Sequence, residues 1–405
     1  MRTRSGRPHV VILDENLPVP LDRRVWQEGL ALADAGYRVS VISPRGAGDM
    51  RRLVERRDGI LILRYPQRAA SGIAGYLVEY LPSMVFSAAW LIALRSRGRI
   101  EVVHGCNPPD LFYLLGRLAR LWGAHYVFDQ HDANPELAIT KWGDRRIGPL
   151  LIRLTRSLER ASYRTADSVI VPNDSYARLA AERGGIPLER IAVVRNAPPI
   201  GRFQTLAAGI APPTGDVLRI GYLGVMGSQD GVEILLDAIA CLGSLAPNVS
   251  VELELVGDGE ARPALERRAR DLGIAGTVRF HGYAGAERFV PILAATHVCV
   301  SPDPPTPFND VSTMTKVVEY LAIGRPVVAF DLTETRSIVG DAGSIVTTPT
   351  AEALARELAA LARDRSRLVA MTAAAARRID ELDLHWERSA ERLLAAYDRL
   401  LDRAP

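Results

Sequence analysis

Short runs of apolar, β-branched residues alternate with helical patterns along almost the whole chain, on both sides of one stretch rich in proline and glycine. Before that stretch, runs at 9–13, 38–42, 60–63, 100–103, 126–128, 168–171 and 191–194 have strand length and no polar alternation, as strands buried on both faces require. Helical patterns fill the gaps at 23–35, 110–122, 148–165 and 175–183. Such alternation predicts a doubly wound parallel sheet with helices on both faces. The stretch 196–216, NAPPIGRFQTLAAGIAPPTGD, has no clear period and reads as a linker. Strand patterns then restart at 218–223, 251–256, 278–281, 297–300, 327–330 and 344–346, with helices at 232–245, 261–272, 286–294, 313–323 and 351–362. The 405 residues also exceed a single core of roughly 250–300. Two α/β domains are therefore expected, 1–198 and 199–383. Open α/β sheets bind at the carboxyl ends of their strands, so two of them imply a shared ligand cleft.

Several function classes drop out. Cys106, Cys241 and Cys299 lie far apart, with no CxxC pair and no disulfide framework, which points to a reducing cytosol. The seven histidines are scattered at 9, 104, 125, 131, 281, 297 and 385 with no HExxH, so no metal site is expected. There is no GxSxG elbow and no Walker loop. Basic residues lack aromatic interleaving, which argues against nucleic acid. The start MRTRSGRPHVVILDENL has too short an apolar run for a signal peptide.

The richest stretch is 301–336, SPDPPTPFNDVSTMTKVVEYLAIGRPVVAFDLTETR. A strand ends at Ser301, a proline-rich loop follows with Asn309 and Asp310, and Ser312 is expected to cap a helix whose first turn holds Thr313, Met314 and Thr315. Unpaired N–H groups and the dipole make such a helix start an anion site. Lys316 and Glu319, three apart, share one helix face, where Lys316 could neutralise a phosphate and Glu319 bind a diol. A surface ion pair is the plainer alternative. Only two of the 50 basic residues are lysines, Lys141 and Lys316, which singles Lys316 out. A second stretch, YLGVMGSQDGVEILLDAI (222–239), places Gly224 and Gly227 at a strand-to-helix turn where backbone can approach phosphate. Gly257 to Gly259, and Gly282 with Tyr283, end further strands and should join the same sheet edge. In the first half, VFDQHDANPEL (127–137) sets His131 and Asp132 directly after a strand. His104 reads as structural, and Asp129 with Glu136 as a candidate carboxylate pair.

Taken together these segments resemble glycosyltransferase family 4, retaining enzymes of the GT-B fold. ENLPVPLDRRVWQEGLALADAGYRVSVISP (15–44), HGCNPPDL, FDQHDANPEL, VRNAP, GYLGVMGSQDG, VGDGE and VRFHGY stand in the family's order. NDVSTMTKVVEYLAIGRPVVAFDLTETR is similar to a branch acting in exopolysaccharide and cell-envelope glycan synthesis. The resemblance implies two Rossmann-like domains facing a cleft, with the acceptor on the first and the nucleotide sugar on the second. Residues 384–405 would form a terminal helix returning to the first domain. It also implies a hexose-type sugar moved from a nucleotide diphosphate sugar to a hydroxyl with retention, and no separate cofactor. His131, Lys316 and Asp310 would act in catalysis. Glu319 would hold the ribose. Ser312 and Thr313 backbone N–H groups would take the diphosphate with Lys316, while Gly224 and Gly227 approach it. Tyr283 would read the base, and Asn309 would meet the sugar. Two departures stand out. The family's first motif Glu, eight positions before Glu319, is Val311 here, with Asp310 beside it. Its Arg/Lys pair after the first strand of the second domain is replaced by Val225, Ser228 and Gln229, leaving Lys316, helped by Arg195, to supply charge. A non-catalytic sugar-nucleotide-binding protein and an epimerase of the same fold remain the rival readings.

Charge is uneven. Residues 1–200 hold 29 Lys+Arg against 20 Asp+Glu, and residues 201–405 hold 21 against 27. The segment 76–94, YLVEYLPSMVFSAAWLIAL, is too short between charges to span a bilayer, which takes roughly 20 residues. With Arg64, Arg68, Arg95, Arg97 and Arg99 around it, the segment points to peripheral contact of a cytoplasmic protein with the inner membrane face, where a lipid-linked acceptor would be met. A glycan or a small molecule is the other class of acceptor, and a core helix is the plainer reading of 76–94.

Overall fold

The computed structural model describes residues 7–67, 72–227 and 229–402; Arg68 and Ser228 lie outside them. The chain forms two compact units, one running to Asn196 and resuming at Ser389, the other Ala197–Arg388.

The first unit holds β1 (His9–Leu13), α1 (Arg23–Asp34), β2 (Arg38–Pro44), β3 (Val54–Arg57), β4 (Ile60–Tyr65) and α2 (Gly72–Ser96). It continues with β5 (Val102–Asn107), α3 (Tyr113–Arg120), β6 (His125–Gln130), α4 (Asn134–Trp142), α5 (Gly148–Thr165), β7 (Ser168–Val171), α6 (Asp174–Gly184) and β8 (Ile191–Val193). Among the described residues these strands make an eight-stranded sheet in the order β3-β4-β2-β1-β5-β6-β7-β8. All pairings are parallel except β3 with β4. Strand β1, HVVIL, is buried at every position, as a central strand covered on both faces must be. Strand β3 reads VERR and is mostly exposed, so it gives no apolar signal; it is an edge strand guarded by charge.

The second unit holds α7 (Ile200–Ala207), β9 (Val217–Leu223), α8 (Val232–Leu245), β10 (Ser250–Val256), α9 (Arg262–Asp271), β11 (Val278–Gly282), α10 (Ala286–Ala294) and β12 (Val298–Ser301). Then come α11 (Pro307–Val311), α12 (Thr315–Ala322), β13 (Val327–Phe330), α13 (Thr333–Val339), β14 (Gly343–Val346), α14 (Ala351–Arg363), α15 (Arg365–Glu381) and the start of α16 (Trp386–Asp402). The strand order β11-β10-β9-β12-β13-β14 is the 3-2-1-4-5-6 order of a dinucleotide-binding sheet. Alternate residues feed opposite cores. Val328 and Phe330 pack with Leu235, Leu236, Leu354 and Leu358, while Val327 and Ala329 pack with Val317, Leu321, Ala375 and Ile379.

The expected linker is partly helical. The linker 196–216 contains α7, because Ile200 and Phe203 lie three apart and bury one face. The Phe203 and Phe289 rings meet edge-to-face at 5.3 Å. Helix α2 buries Ser83, Ser87, Leu91 and Leu94 and exposes Leu81, Val85, Phe86 and Ile92, and it contains Pro82. No described helix is long and apolar enough to cross a membrane. Helix α16 buries Leu393, Ala396, Tyr397 and Leu400. Tyr397 lies edge-on to Tyr37 at 5.7 Å, and Ser389 Oγ donates to the Arg195 carbonyl, so α16 is fastened to the first unit.

Candidate functional site

In each sheet the chain reverses its winding at one point, between β1 and β5 in the first and between β9 and β12 in the second. The loops leaving these strands open a crevice there.

In the first unit, Asp129 and His131 lie two apart at the end of β6 and so face the same way. His131 Nε2 is 2.6 Å from Asp129 Oδ2. Arg24 grips the same carboxylate twice, Nη2 to Oδ1 at 2.8 Å and Nε to Oδ2 at 3.2 Å. Its Nη1 donates to the Val194 carbonyl at 2.7 Å and to Asn196 Oδ1 at 2.8 Å. Arg24 is placed by the start of α1, where Asp22 accepts from Val25 N. Glu28, one turn on, lies 3.1 Å from Arg24 Nε. His104 on β5 completes the cluster. Its Nε2 is 3.3 Å from Asp129, and its Nδ1 is 2.7 Å from the Tyr397 hydroxyl of α16. Asn107 shapes the loop itself, its Oδ1 accepting from both His131 N and Asp132 N.

The charges in this cluster sort by partner. Burial alone would raise Asp129, but Arg24 and the two histidines hold it well below the ordinary carboxylate range. Burial, followed by the Asp129 charge, pushes Glu28 well up. Burial also pushes His104 down, favouring the neutral ring. Asp129 is thus the ionised acceptor between two imidazoles. His104, Cys106 and Asp129 each bring a metal-ligand type of atom within 4.8 Å of one another, a convergence that the scattered histidine spacing does not reveal. Arg24 supplies the positive charge there. At the end of β1, burial and the neighbouring Glu79 push Glu15 up to about 8.

In the second unit, Lys316 sits in the first turn of α12 and is buried. Its Nζ is 2.8 Å from Asp303 Oδ1 and 3.9 Å from Asp230 Oδ1, and it lies 5.0 Å from the centre of the Tyr222 ring. Burial works against its charge, and Asp303 more than restores it, holding the ammonium above its ordinary value. Gly224 has φ +155°, and a Cβ there would come within 2.9 Å of the Tyr222 hydroxyl and 3.2 Å of Lys316 Cε. Gly257 has φ +134°, and a Cβ would meet the Gly224 carbonyl at 1.8 Å. Both turns therefore need glycine to lie against each other. Glu319, on the same helix, is buried.

The structure moves several expected residues. Ser312 does not cap the lysine helix. It closes the preceding α11, with Oγ donating to the Phe308 carbonyl at 2.7 Å, because Thr306 has already begun a helix there by accepting from Asn309 N. Helix α12 starts at Thr315, capped by Met314 without a side-chain bond, so the first turn of the lysine helix begins after Thr313. Asp310 spends both oxygens on Thr333, at 2.9 Å to N and 3.1 Å to Oγ1. Asn309 donates to the Pro304 carbonyl at 2.9 Å. Gly227 N donates to Asp230 Oδ2 at 2.9 Å. Tyr283 is 79% exposed beyond β11. Arg195 belongs to the first unit and pairs with Asp174. Asp129 and Glu136 do not form a pair; Glu136 takes Arg183 at 2.6 Å. Lys316 is no surface ion pair, since Asp303 holds it in the interior. Sequence reasoning missed Arg24, Glu28, Asp230, Asp303 and Tyr222. The two-residue spacing of Asp129 and His131 was a usable signal; the others meet only through the fold.

Two family descriptions match the chain. Residues 21–197 match a glycosyl transferase 4-like domain, and residues 217–364 match glycosyl transferases group 1. A D-inositol 3-phosphate glycosyltransferase of Thermobispora bispora is 25% identical over 411 residues, covering 92% of this chain and 88% of that protein. The lipopolysaccharide core biosynthesis glycosyltransferase LpsE of Rhizobium meliloti is 29% identical over 210 residues, 51% of this chain and 57% of that one. Among solved structures, sucrose-phosphate synthase from Thermosynechococcus elongatus superimposes with a TM-score of 0.78 at 19% identity, covering 98% of this chain and 99% of that one.

Proposed function

The chain is a GT-B glycosyltransferase of the GT4-like class that uses a nucleotide diphosphate sugar, and from that premise we propose transfer of a hexose-type sugar to a hydroxyl with retention, in polysaccharide or cell-envelope glycan synthesis. The observation that carries the reading is Lys316, buried where the second sheet reverses its winding, with the Gly224 turn against its stem. The leaving diphosphate gathers charge as the glycosidic bond breaks, and fixed dipoles and cations aimed at it lower the barrier. The N–H groups at the start of α12 and the Lys316 ammonium fill that role. An ammonium has three donors. Asp303 occupies one, aiming the others without removing the charge.

Glu319 takes the ribose diol, Gly224 and Gly227 admit the phosphates, and the Tyr283 backbone meets the base. Asn309 faces the sugar. Asp310 reaches it only by exchanging Thr333 for a sugar hydroxyl. Ser312 and Thr313 lead into the diphosphate turn, and Arg195 is a further cation for it once released from Asp174. In the first unit, Asp129 fixes the His131 ring through Nε2, leaving Nδ1 for a hydroxyl of the donor sugar or the acceptor. Departure of the diphosphate and attack by the acceptor on the same face of the sugar give retention, with the phosphate oxygen receiving the acceptor proton.

The acceptor is a glycan, a lipid-linked hydroxyl or a small molecule. We place the protein in the cytoplasm, in peripheral contact with the inner membrane face through its first unit. The exposed Leu81, Val85, Phe86 and Ile92 of α2 support that contact. A panel of nucleotide sugars, offered with hydroxyl acceptors, tests the reaction, with the product's anomeric coupling read by NMR. An inverted anomeric centre would remove retention. Donor turnover without any transfer product would remove the acceptor reaction.

A further inference from the structure

The most basic helix of the first unit is also turned inside out. Helix α5 buries Gly148, Glu159, Ser162, Tyr163 and Thr165. These residues fasten it: Tyr163 Oη donates to Gln130 Oε1 at 2.6 Å, Ser162 Oγ donates to the Asp110 carbonyl at 3.0 Å, and Glu159 pairs with Arg183 at 3.0 Å. Its outward face carries Leu150, 68% exposed, and Leu154, 51% exposed, with Ile147, 47% exposed, at the start. These three are spaced three and four apart and form one ridge. Arg153 and Arg160, seven residues apart, form a second ridge beside it, with Arg146 exposed in the turn before the helix and Arg156 and Arg164 also exposed. From Lys141 to Arg164 the chain has seven basic residues and two acids, and one of those acids is the buried Glu159. No ion pair engages these exposed arginines among the described residues, so the face is an unneutralised positive ridge alongside an apolar one.

We infer that this face of α5 docks on an anionic lipid bilayer, with Ile147, Leu150 and Leu154 entering the acyl boundary and the arginines meeting lipid phosphates. The inference deepens the peripheral-membrane reading and rests on it, but it names a different helix from α2. Charge complementarity selects the occupant. A second copy of the chain would set arginine ridge against arginine ridge. Nucleic acid would meet the arginines but leave three large aliphatic side chains in water, and this face offers no aromatic platform for a base.

The test is flotation of the full chain with vesicles of phosphatidylcholine alone or with added phosphatidylglycerol. Binding is expected on the anionic vesicles only, declining steeply with added salt. Leu150→Ser with Leu154→Ser should abolish flotation. Arg153→Gln with Arg156→Gln and Arg160→Gln should weaken it by about 100-fold at low salt, at roughly fivefold per charge. Both variants should keep sugar transfer to a water-soluble acceptor, which shows that they are folded. Leu81→Ser with Val85→Ser on α2 should retain most of the binding. If the α5 variants float like the parent protein while the α2 variant does not, α5 is the wrong face and the membrane reading stands. A parent protein that fails to float at low salt overturns both. Tighter binding to a single-stranded oligonucleotide than to anionic vesicles overturns the lipid assignment.

Discussion

Both units bury a cation against a carboxylate at the carboxyl edge of a parallel sheet, and they use different cations. In the first, Arg24 makes four hydrogen bonds, to Asp129, Val194 and Asn196. Its flat fork is committed, and what it fixes is the loop carrying His131. In the second, Lys316 makes one short contact, to Asp303, and looks toward Asp230 from a longer distance. A compact ammonium on a flexible stem can share its charge with an incoming group; a guanidinium with four fixed acceptors cannot. The first pair is a clamp. The second is a charge held ready.

The largest effect should separate these roles by stability. Arg24→Met leaves Asp129 buried beside Glu28 without its cation, and breaking a buried pair on one side costs about 3–5 kcal/mol. Urea unfolding should show this loss for Arg24→Met and a smaller one for Lys316→Met. Equal losses would erase the distinction between clamp and ready charge. Next in size, Lys316→Ala should lower the rate of transfer by roughly 10²–10³, the scale for a lost donor to developing charge. Lys316→Arg should recover part of that rate, because a planar fork cannot reproduce a point charge between Asp303 and the Gly224 turn. Full activity in the arginine variant would make the choice of lysine incidental.

Glu319→Ala should weaken nucleotide binding by about 1.5–3 kcal/mol while sparing the fold, as titration calorimetry would register. Unchanged affinity in a folded variant would take the ribose contact away from this residue. A smaller effect concerns pH. The folded value for Glu15 is raised to about 8 from an ordinary 4.5, so the unfolded chain loses this proton first. The stability tied to it is fully present below pH 4.5 and is lost as pH rises through 8. Glu15→Gln should flatten the fall in melting temperature across that window, and an unchanged slope would place the effect elsewhere. Smallest of all, Tyr397→Phe should cost about 1 kcal/mol, the worth of one hydrogen bond. If His104 transmits its tautomer through Asp129, the same variant should also shift the acid limb of kcat/KM against pH, which a purely structural contact would leave in place.

Much of this was legible in the chain itself, for a physical reason. Doubly covered strands such as HVVIL and VVAF must be apolar at every position, so they stand out without any partner in view. Strand β3 and helix α7 hid because one is charged along its exposed edge and the other lies among prolines. Lys316 was visible because lysine is rare here. Arg24 was not, being one of 48 arginines whose importance comes from meeting Asp129, 105 residues away. Asp303 was read as one residue of a proline-rich loop, and only the return of the chain as α12 brings it to Lys316. Local chemistry can be read along the chain. Charge pairing across it needs the fold.

Tyr397 reaches His104 from the far end of the chain, and this sets an order in time. The ribosome makes the sheet of the first unit early, but α16 emerges only after Ala197–Arg388 has been synthesised. At 5–20 residues per second that interval is about 10–40 s. Throughout it, His104 has no phenol on Nδ1 and Tyr37 has no ring to meet, so the seat of α16 lies open to water. The unit that is translated first is therefore the one completed last.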